Sequence, residues 1–243
     1  MNRSSGDSLY KPRRRGYAAR RERRMVEQLD AFFWKCYFML RMNRVEGDYL
    51  EFGAGGRMRS FRLAYKYRQL EYSGPRLFAF DSFKGLPAPK GIDRHPQWQE
   101  GALKLSQRQF HARMREVGAR RSDYQVVPGF FEETLKGRRP SDYGIRKAAM
   151  VFVDCDLYAS ADRVLRFVGR RLAEGAVLAF DDWFCFGGDP DRGEQRAFRE
   201  YRRRVRSLAF TEYLPFGWHG MSFIAHIHRP KKRMSGGKKQ RNV

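Results

Sequence analysis

Along the chain, short apolar runs alternate with longer segments in which apolar positions recur at three- and four-residue steps. DYLEFG (48–53), RLFAFD (76–81), DYQVVPG (123–129), AAMVFVDCD (148–156) and GAVLAFDD (175–182) have the length and β-branched or aromatic content of buried strands. Helical spacing predicts helices over about 58–71, 106–117, 160–173 and 191–205. The alternation predicts an α/β fold with a mostly parallel central sheet and crossover helices on both faces. SLAFTEYL (207–214) and GMSFIAHIH (220–228), joined by a short connector with Pro and Gly, predict an antiparallel hairpin at the edge of that sheet. Ahead of the first strand, Met25, Leu29, Phe32, Phe33, Cys36, Tyr37 and Leu40 predict an amphipathic helix within 20–44. Its apolar face must cover the core or a second copy of the chain, so a homo-oligomer is one expected partner state.

Composition then narrows the class. Of 243 residues, 42% are hydrophobic, enough for one sizeable core and too many for a wholly disordered chain. The formal charge of +23 is unevenly placed, because residues 1–24 and 229–243 each carry +7. These segments read as basic disordered tails over 1–19 and 229–243 that would attract a polyanion such as nucleic acid, anionic lipid or acidic polysaccharide. Cys36, Cys155 and Cys185 are odd in number and lack CxxC spacing, which argues against a disulfide framework or a four-cysteine zinc site and for a reducing, cytoplasmic setting. The run that invites a membrane reading, AFFWKCYFML (31–40), is too short to span a membrane and contains Lys35.

In an open α/β sheet, ligands bind beyond the carboxyl ends of the strands, and those ends are acidic here. Glu51, Asp81, Asp154, Asp156, Asp181 and Asp182 each close an apolar run. A single such acid is explained by capping the next helix; acids at four strand ends are not. Glu51 precedes the turn Gly53-Ala54-Gly55-Gly56, where glycine permits close backbone approach to a ligand. Asp81, at the next strand end, can accept hydrogen bonds from ribose hydroxyls. A carboxylate beside the glycine turn would repel a pyrophosphate, so a sulfonium cofactor, S-adenosylmethionine (SAM), suits the turn better than NAD. Asp154, Asp181 and Asp182 offer the hard oxygen donors that Mg²⁺ prefers. Among the five histidines, His95 and His219 lie in segments that can reach a cleft and serve as a base, whereas His111 reads as a solvated helix side chain and His226 and His228 as an edge-strand surface.

Five motifs in order, DYLEFGAGG, FAFDSFKGLP (78–87), VPGFFEETL (127–135), VFVDCDLYAS (151–160) and GAVLAFDDW, resemble the macrocin O-methyltransferase (TylF-type) family of class I SAM-dependent methyltransferases. The resemblance covers about residues 45–228 and implies a Rossmann-like class I methyltransferase fold over that domain. It implies that Glu51, Phe52, Gly53, Ala54 and Gly55 shape the methionine end of a SAM pocket. Asp81, Ser82 and Phe83 would hold the ribose, and Gly129, Phe130 and Phe131 the adenine. Asp154, Asp181 and Asp182 match metal-binding acids, with Asp154 also the expected catalytic base and Asp156 in reserve. HPQWQEG (95–101) would form part of a lid or substrate-facing loop. The implied acceptor is a hydroxylated small molecule or saccharide. The chain departs from the family pattern in its basic tails and in reading FFEETL where the family often has Asp before Thr-Leu. Two other functions fit the charge: methylation of RNA, and polyanion binding without chemistry on an inherited methyltransferase fold. The basic runs lack the interleaved aromatics of a base-stacking surface, which places RNA methylation behind methyl transfer to a hydroxyl; the strand-end acids are all present, which places binding without chemistry behind it as well.

Overall fold

A computed structural model describes residues 14–228. The expected tails outside that range, 1–13 and 229–243, lie outside the described residues. Seven strands form one sheet in the order β3-β2-β1-β4-β5-β7-β6: β1 Asp48–Phe52, β2 Leu77–Asp81, β3 Tyr124–Pro128, β4 Ala148–Val153, β5 Leu172–Phe180, β6 Leu208–Phe216 and β7 Gly220–Ile227. The first five run parallel, while β7 pairs antiparallel with both β5 and β6, which gives the expected edge hairpin. The helices are α1 Arg14–Met42, α2 Arg59–Leu70, α3 Gln107–Glu116, α4 Phe131–Thr134, α5 Tyr158–Val168 and α6 Gly193–Arg204.

Alternation along the central strand shows how the layers are held. All five residues of β1 are buried, as befits a parallel strand covered on both faces. Tyr49 points to one face, where its ring meets Phe33 of α1 and Phe61 of α2. Phe52 points to the other, stacking on Phe80 at 4.7 Å between centroids and meeting Phe131 of α4 and Phe167 of α5. Helix α6 covers the same side at the far end, with Phe198 against Phe180 and Phe223. Phe32 of α1 stacks on Phe216 at the end of β6, so the N-terminal helix packs on its own chain's core.

Three boundaries differ from the sequence expectation, each for a local reason. Helix α1 begins at Arg14 rather than near Arg20, the Ala- and Arg-containing stretch being good helix-forming sequence. Helix α5 runs from Tyr158 to Val168, not 160–173, because Gly169 at φ 53° ends it and frees Leu172 to pair with Ala148. Strand β6 continues through Pro215 to Phe216, which an edge strand tolerates.

The chain lays down β1, β2 and β3 in one direction and then returns to place β4 on the other side of β1. That reversal opens a crevice between the carboxyl ends of β1 and β4, where ligands bind in such sheets. Phe52 stands directly under it. We expect Phe52→Ala to destabilise the fold by about 3–5 kcal/mol, the cost of emptying a well-packed aromatic site, as read by urea unfolding.

Candidate active site

A cavity of about 490 Å³ opens at this crevice. Gly53 and the chain after Val153 are so close that a Cβ on Gly53 would drive into the Asp154 carbonyl, and the residue holds φ 93°. Gly55 N–H donates to Asp81 Oδ2 at 2.8 Å, and a Cβ on Gly55 would land 2.8 Å from the same oxygen. Phe83 N–H donates to Asp81 Oδ1 at 2.6 Å. Each Asp81 oxygen thus accepts one backbone bond and keeps a lone pair for a ligand hydroxyl. Burial raises the Asp81 carboxyl, and these two N–H bonds oppose the rise.

The cavity wall includes Gly53, Gly55, Asp81, Ser82, Gly129, Phe130 and Phe131. It does not include Glu51, Phe52, Ala54 or Phe83, and each has a reason. Phe52 and Ala54 are core residues, and Phe83 packs edge-on against Phe110 with its backbone turned to φ 54°. Glu51 lies beneath the floor, where both oxygens accept from hydroxyls, Tyr49 Oη on one and Ser60 Oγ at 2.7 Å on the other. Burial pushes Glu51 up to about 8, against the pull of those two hydroxyls.

At the ends of β4 and β5 the expected acids converge, in company the sequence did not fully anticipate. One carboxylate oxygen each from Asp154, Asp156 and Asp182 lie within 4.8 Å of one another, as do ligand atoms of Asp181, Asp182 and His219. Asp182 belongs to both groups, Asp154 to the first and Asp181 to the second. Asp156 sits at φ 58° and its N–H donates to Asp182 Oδ2 at 3.1 Å, joining the two strand-end loops. Burial raises Asp154, Asp156 and Asp182, and repulsion from neighbouring acids adds to the rise of Asp154 and Asp156. Asp181 is pushed up to about 7 by burial and Asp182, while His219, Arg59 and Arg57 pull it down. The donor set is hard oxygen plus one imidazole, and mutual repulsion leaves it short of positive charge. It therefore fits a divalent ion such as Mg²⁺.

Of the candidate bases, His219 reaches this cluster: its Nδ1 is 3.7 Å from Asp181 Oδ2 and hydrogen-bonded to the Asp181 carbonyl. His95 instead packs on Trp98 and Phe186, away from the acids. His111, read from sequence as a solvated side chain, hydrogen-bonds Tyr124 Oη at 2.9 Å. Trp183 joins the core through Phe180, Phe198 and Phe223 rather than walling the cavity.

Beside the site, Asp93 and Glu194 are buried acids that escaped the sequence reading. Glu194, in the first turn of α6, accepts from Asp182 N–H at 2.9 Å and Cys155 N–H at 3.5 Å, tying both acidic loops to one helix. Asp93, in the segment before HPQWQEG, accepts from Tyr158 and Ala159 N–H at 2.7 and 3.1 Å and so caps α5 from a distance. Arg192 then holds the Ile92 and Arg94 carbonyls at 2.8–3.1 Å. This segment is thereby anchored, and Leu86, Gln97 and Trp98 line the cavity. A Glu in a helix's first turn and an Asp in a loop look ordinary in sequence; only long-range contact distinguishes them.

A seven-stranded sheet with an antiparallel C-terminal hairpin, a glycine turn hydrogen-bonded to Asp81 at the next strand end, and acids at the following strand ends define the SAM-dependent methyltransferase class. Within that class the family described as Macrocin-O-methyltransferase (TylF) matches residues 11–208, and the chain belongs to it. It is 26% identical over 154 residues to 8-demethyl-8-(2,3-dimethoxy-alpha-L-rhamnosyl)-tetracenomycin-C 4'-O-methyltransferase of Streptomyces olivaceus; the match spans 61% of this chain and 57% of that relative. Among solved structures, the O-methyltransferase NovP superposes with a TM-score of 0.67 at 20% identity over 83% of this chain and 80% of NovP. CalS11, a calicheamicin methyltransferase, superposes with a TM-score of 0.64 at 18% identity over 92% of this chain and 99% of CalS11. These likenesses show the fold.

The Glu51 environment has a pH signature. Its folded pKa of about 8 lies above the ordinary 4.5, so its contribution to stability is complete below the lower value and is lost as pH rises through the upper one. Glu51→Gln is permanently neutral. Its melting temperature relative to the parent protein should climb between about pH 5 and about pH 9. A difference that stays constant with pH would contradict this account of Glu51.

Proposed function

We propose that the chain transfers a methyl group from SAM to a hydroxyl of a sugar, either on a glycosylated small molecule or in a polysaccharide, with help from a divalent metal. The observation that carries this reading is the meeting of Asp154, Asp156, Asp181 and Asp182 in the same cavity that Asp81 and the glycine turn enter from the other end. The Streptomyces olivaceus relative is named for methylating a rhamnosyl group, and another structure of CalS11 describes it as a TDP-rhamnose 3'-O-methyltransferase. Both names support a sugar hydroxyl as the acceptor. No helix among the described residues is long and apolar enough to cross a membrane, and all three cysteines are buried free thiols, which supports a reducing setting.

The residues divide the work. Asp81 accepts the ribose hydroxyls, the open glycine turn leaves room for the methionine portion, and Phe130 and Phe131 offer ring faces or edges to the base. SAM, when bound, supplies a methyl on a positively charged sulfur. Asp154, Asp156 and Asp182, with Asp181 and His219 adjoining, would hold Mg²⁺, whose charge lowers the pKa of a nearby hydroxyl. Asp154 accepts the hydroxyl proton as the oxygen–carbon bond forms and the carbon–sulfur bond breaks, the electron pair staying on sulfur. Glu194 keeps the Asp182 and Cys155 backbones in place, and the anchored lid limits water around the nucleophile.

Isothermal titration of S-adenosylhomocysteine tests the cofactor site. Binding in the micromolar range that weakens at least tenfold in Asp81→Ala is expected; absence of binding with and without Mg²⁺ would contradict the reading. In a methyl-transfer assay on a panel of sugar acceptors, Asp154→Asn should lower kcat by about 10²–10⁴, the range for removing a general base, with S-adenosylhomocysteine affinity retained.

A further inference from the structure

The end of the sheet opposite the cavity carries the reverse charge. Of the six strands that point toward the cavity, five are entered through an exposed base: Arg44 before β1, Arg121 before β3, Arg146 and Lys147 before β4, Arg170 and Arg171 before β5, and Arg206 before β6. None of these has an ion-pair partner among the described residues, whereas Arg76 before β2 is paired with Asp48 and Arg120 with Asp123. Neighbouring strands lie about 4.8 Å apart, so the seven-stranded sheet spreads these bases along a row about 30 Å long. Acids are fewer here. Glu71 is paired with Arg41, and Asp142 lies beside Arg139, whose N–H it accepts. Glu46, Glu116 and Glu174 remain, Glu174 accepting the Ile227 N–H with His226 close by. Unpaired bases therefore outnumber unpaired acids by about four.

The same end is apolar along one edge. Helices α1 and α2 finish there on Met42 and Leu70, which are 63% and 65% exposed. Their chain neighbours Arg41 and Glu71 are paired at 3.2 Å, which sets the two helix ends side by side. The Arg41 guanidinium lies over the Phe38 ring at 5.0 Å, and Phe38 is 6.0 Å from Trp34. Trp34, Phe38 and Met42 thus form an exposed ridge at four-residue steps on the outward side of α1.

A basic face alone would serve any polyanion, and the apolar edge narrows the choice. Single-stranded nucleic acid needs aromatics for its bases, but the turns that enter the strands offer only Tyr72, half-buried and bonded to the Val45 carbonyl. An acidic saccharide would leave Met42, Leu70 and Phe38 in water. An anionic bilayer satisfies both features, because its headgroups attract the bases while apolar tips enter the acyl boundary. The chain also leaves β7 at this end, and residues 229–243, which follow, carry seven Lys/Arg and no acid.

We propose that the amino end of the sheet docks on an anionic lipid bilayer, with Met42, Leu70 and Phe38 entering the interface and the strand-entry bases meeting the lipid headgroups. Docked this way, the protein keeps its cavity turned away from the bilayer and open to solution.

The test is flotation of the full chain with vesicles of phosphatidylglycerol mixed into phosphatidylcholine, compared with phosphatidylcholine alone. The mixed vesicles should bind at least tenfold more tightly, with affinity falling as KCl is raised. Arg146→Gln/Lys147→Gln/Arg170→Gln/Arg171→Gln should lower that affinity at least tenfold. Met42→Ser/Leu70→Ser keeps every charge and should lower it at least threefold. All six side chains are exposed, so both variants should keep the melting temperature of the parent protein. Equal binding to the two vesicles, or no binding, would overturn the proposal. An unchanged affinity in either variant would also overturn it, by assigning the attraction to the terminal segments. So would a single-stranded RNA or polygalacturonate that binds more tightly than the mixed vesicles and is indifferent to Met42→Ser/Leu70→Ser, which would assign this end to a soluble polyanion. No measurement here uses SAM or an acceptor, so the proposal stands or falls apart from the methyltransferase reading.

Discussion

Buried like charge is the constraint on which the rest of this site depends. Asp154, Asp156, Asp181 and Asp182 are drawn together at two neighbouring strand ends, with Glu194 behind them and Glu51 beneath the adjacent strand. Carboxylates this close and this dry favour protonation or a cation, and burial and mutual repulsion raise their pKa values accordingly. The chain meets the cost with backbone N–H groups: Asp156 N–H donates to Asp182, and Glu194 accepts from the Asp182 and Cys155 amides. Those bonds fix the geometry without neutralising the charge. A bound sulfonium and a divalent ion would supply what the fold leaves out, which is why the acids, the glycine turn and Asp81 share one cavity.

The supporting structure follows from this requirement. The sheet must hold β1 and β4 side by side so that Gly53 and Asp154 touch, and Phe52, Phe80 and Phe167 pack beneath that junction. Helix α6 supplies Glu194, and its N-terminal loop supplies Arg192, which reaches back to the Ile92 and Arg94 carbonyls. Asp93 binds its loop to α5, so the segment that carries Gln97 and Trp98 to the cavity wall is tied to the helix that follows the acids.

Much of this was legible in the sequence because it is local. Apolar alternation marked all seven strands, and the strand-end position of Asp81, Asp154, Asp181 and Asp182 was visible as an acid closing each run. Glu51 was legible as a strand-end acid but not as a buried one, since its facing partners, Tyr49 and Ser60, are set by the pleat and by the placement of α2. Phe83 stood in a recognisable motif, yet its positive φ turns the ring toward Phe110 and leaves only its backbone for Asp81. Asp93 and Glu194 were not legible, because Asp93 acts on residues 65 and 66 positions away and Glu194 on residues 12 and 39 positions away, and no periodicity records such contacts.

The claim that these acids await a cation is tested most directly by titrating Mg²⁺ into the protein saturated with S-adenosylhomocysteine near pH 7, in buffers of different ionisation enthalpy. Carboxyls raised by burial and repulsion must shed protons to bind the ion, so the account predicts saturable binding with net proton release that is lost in Asp182→Asn. Absence of binding, or binding with no proton release, would contradict it.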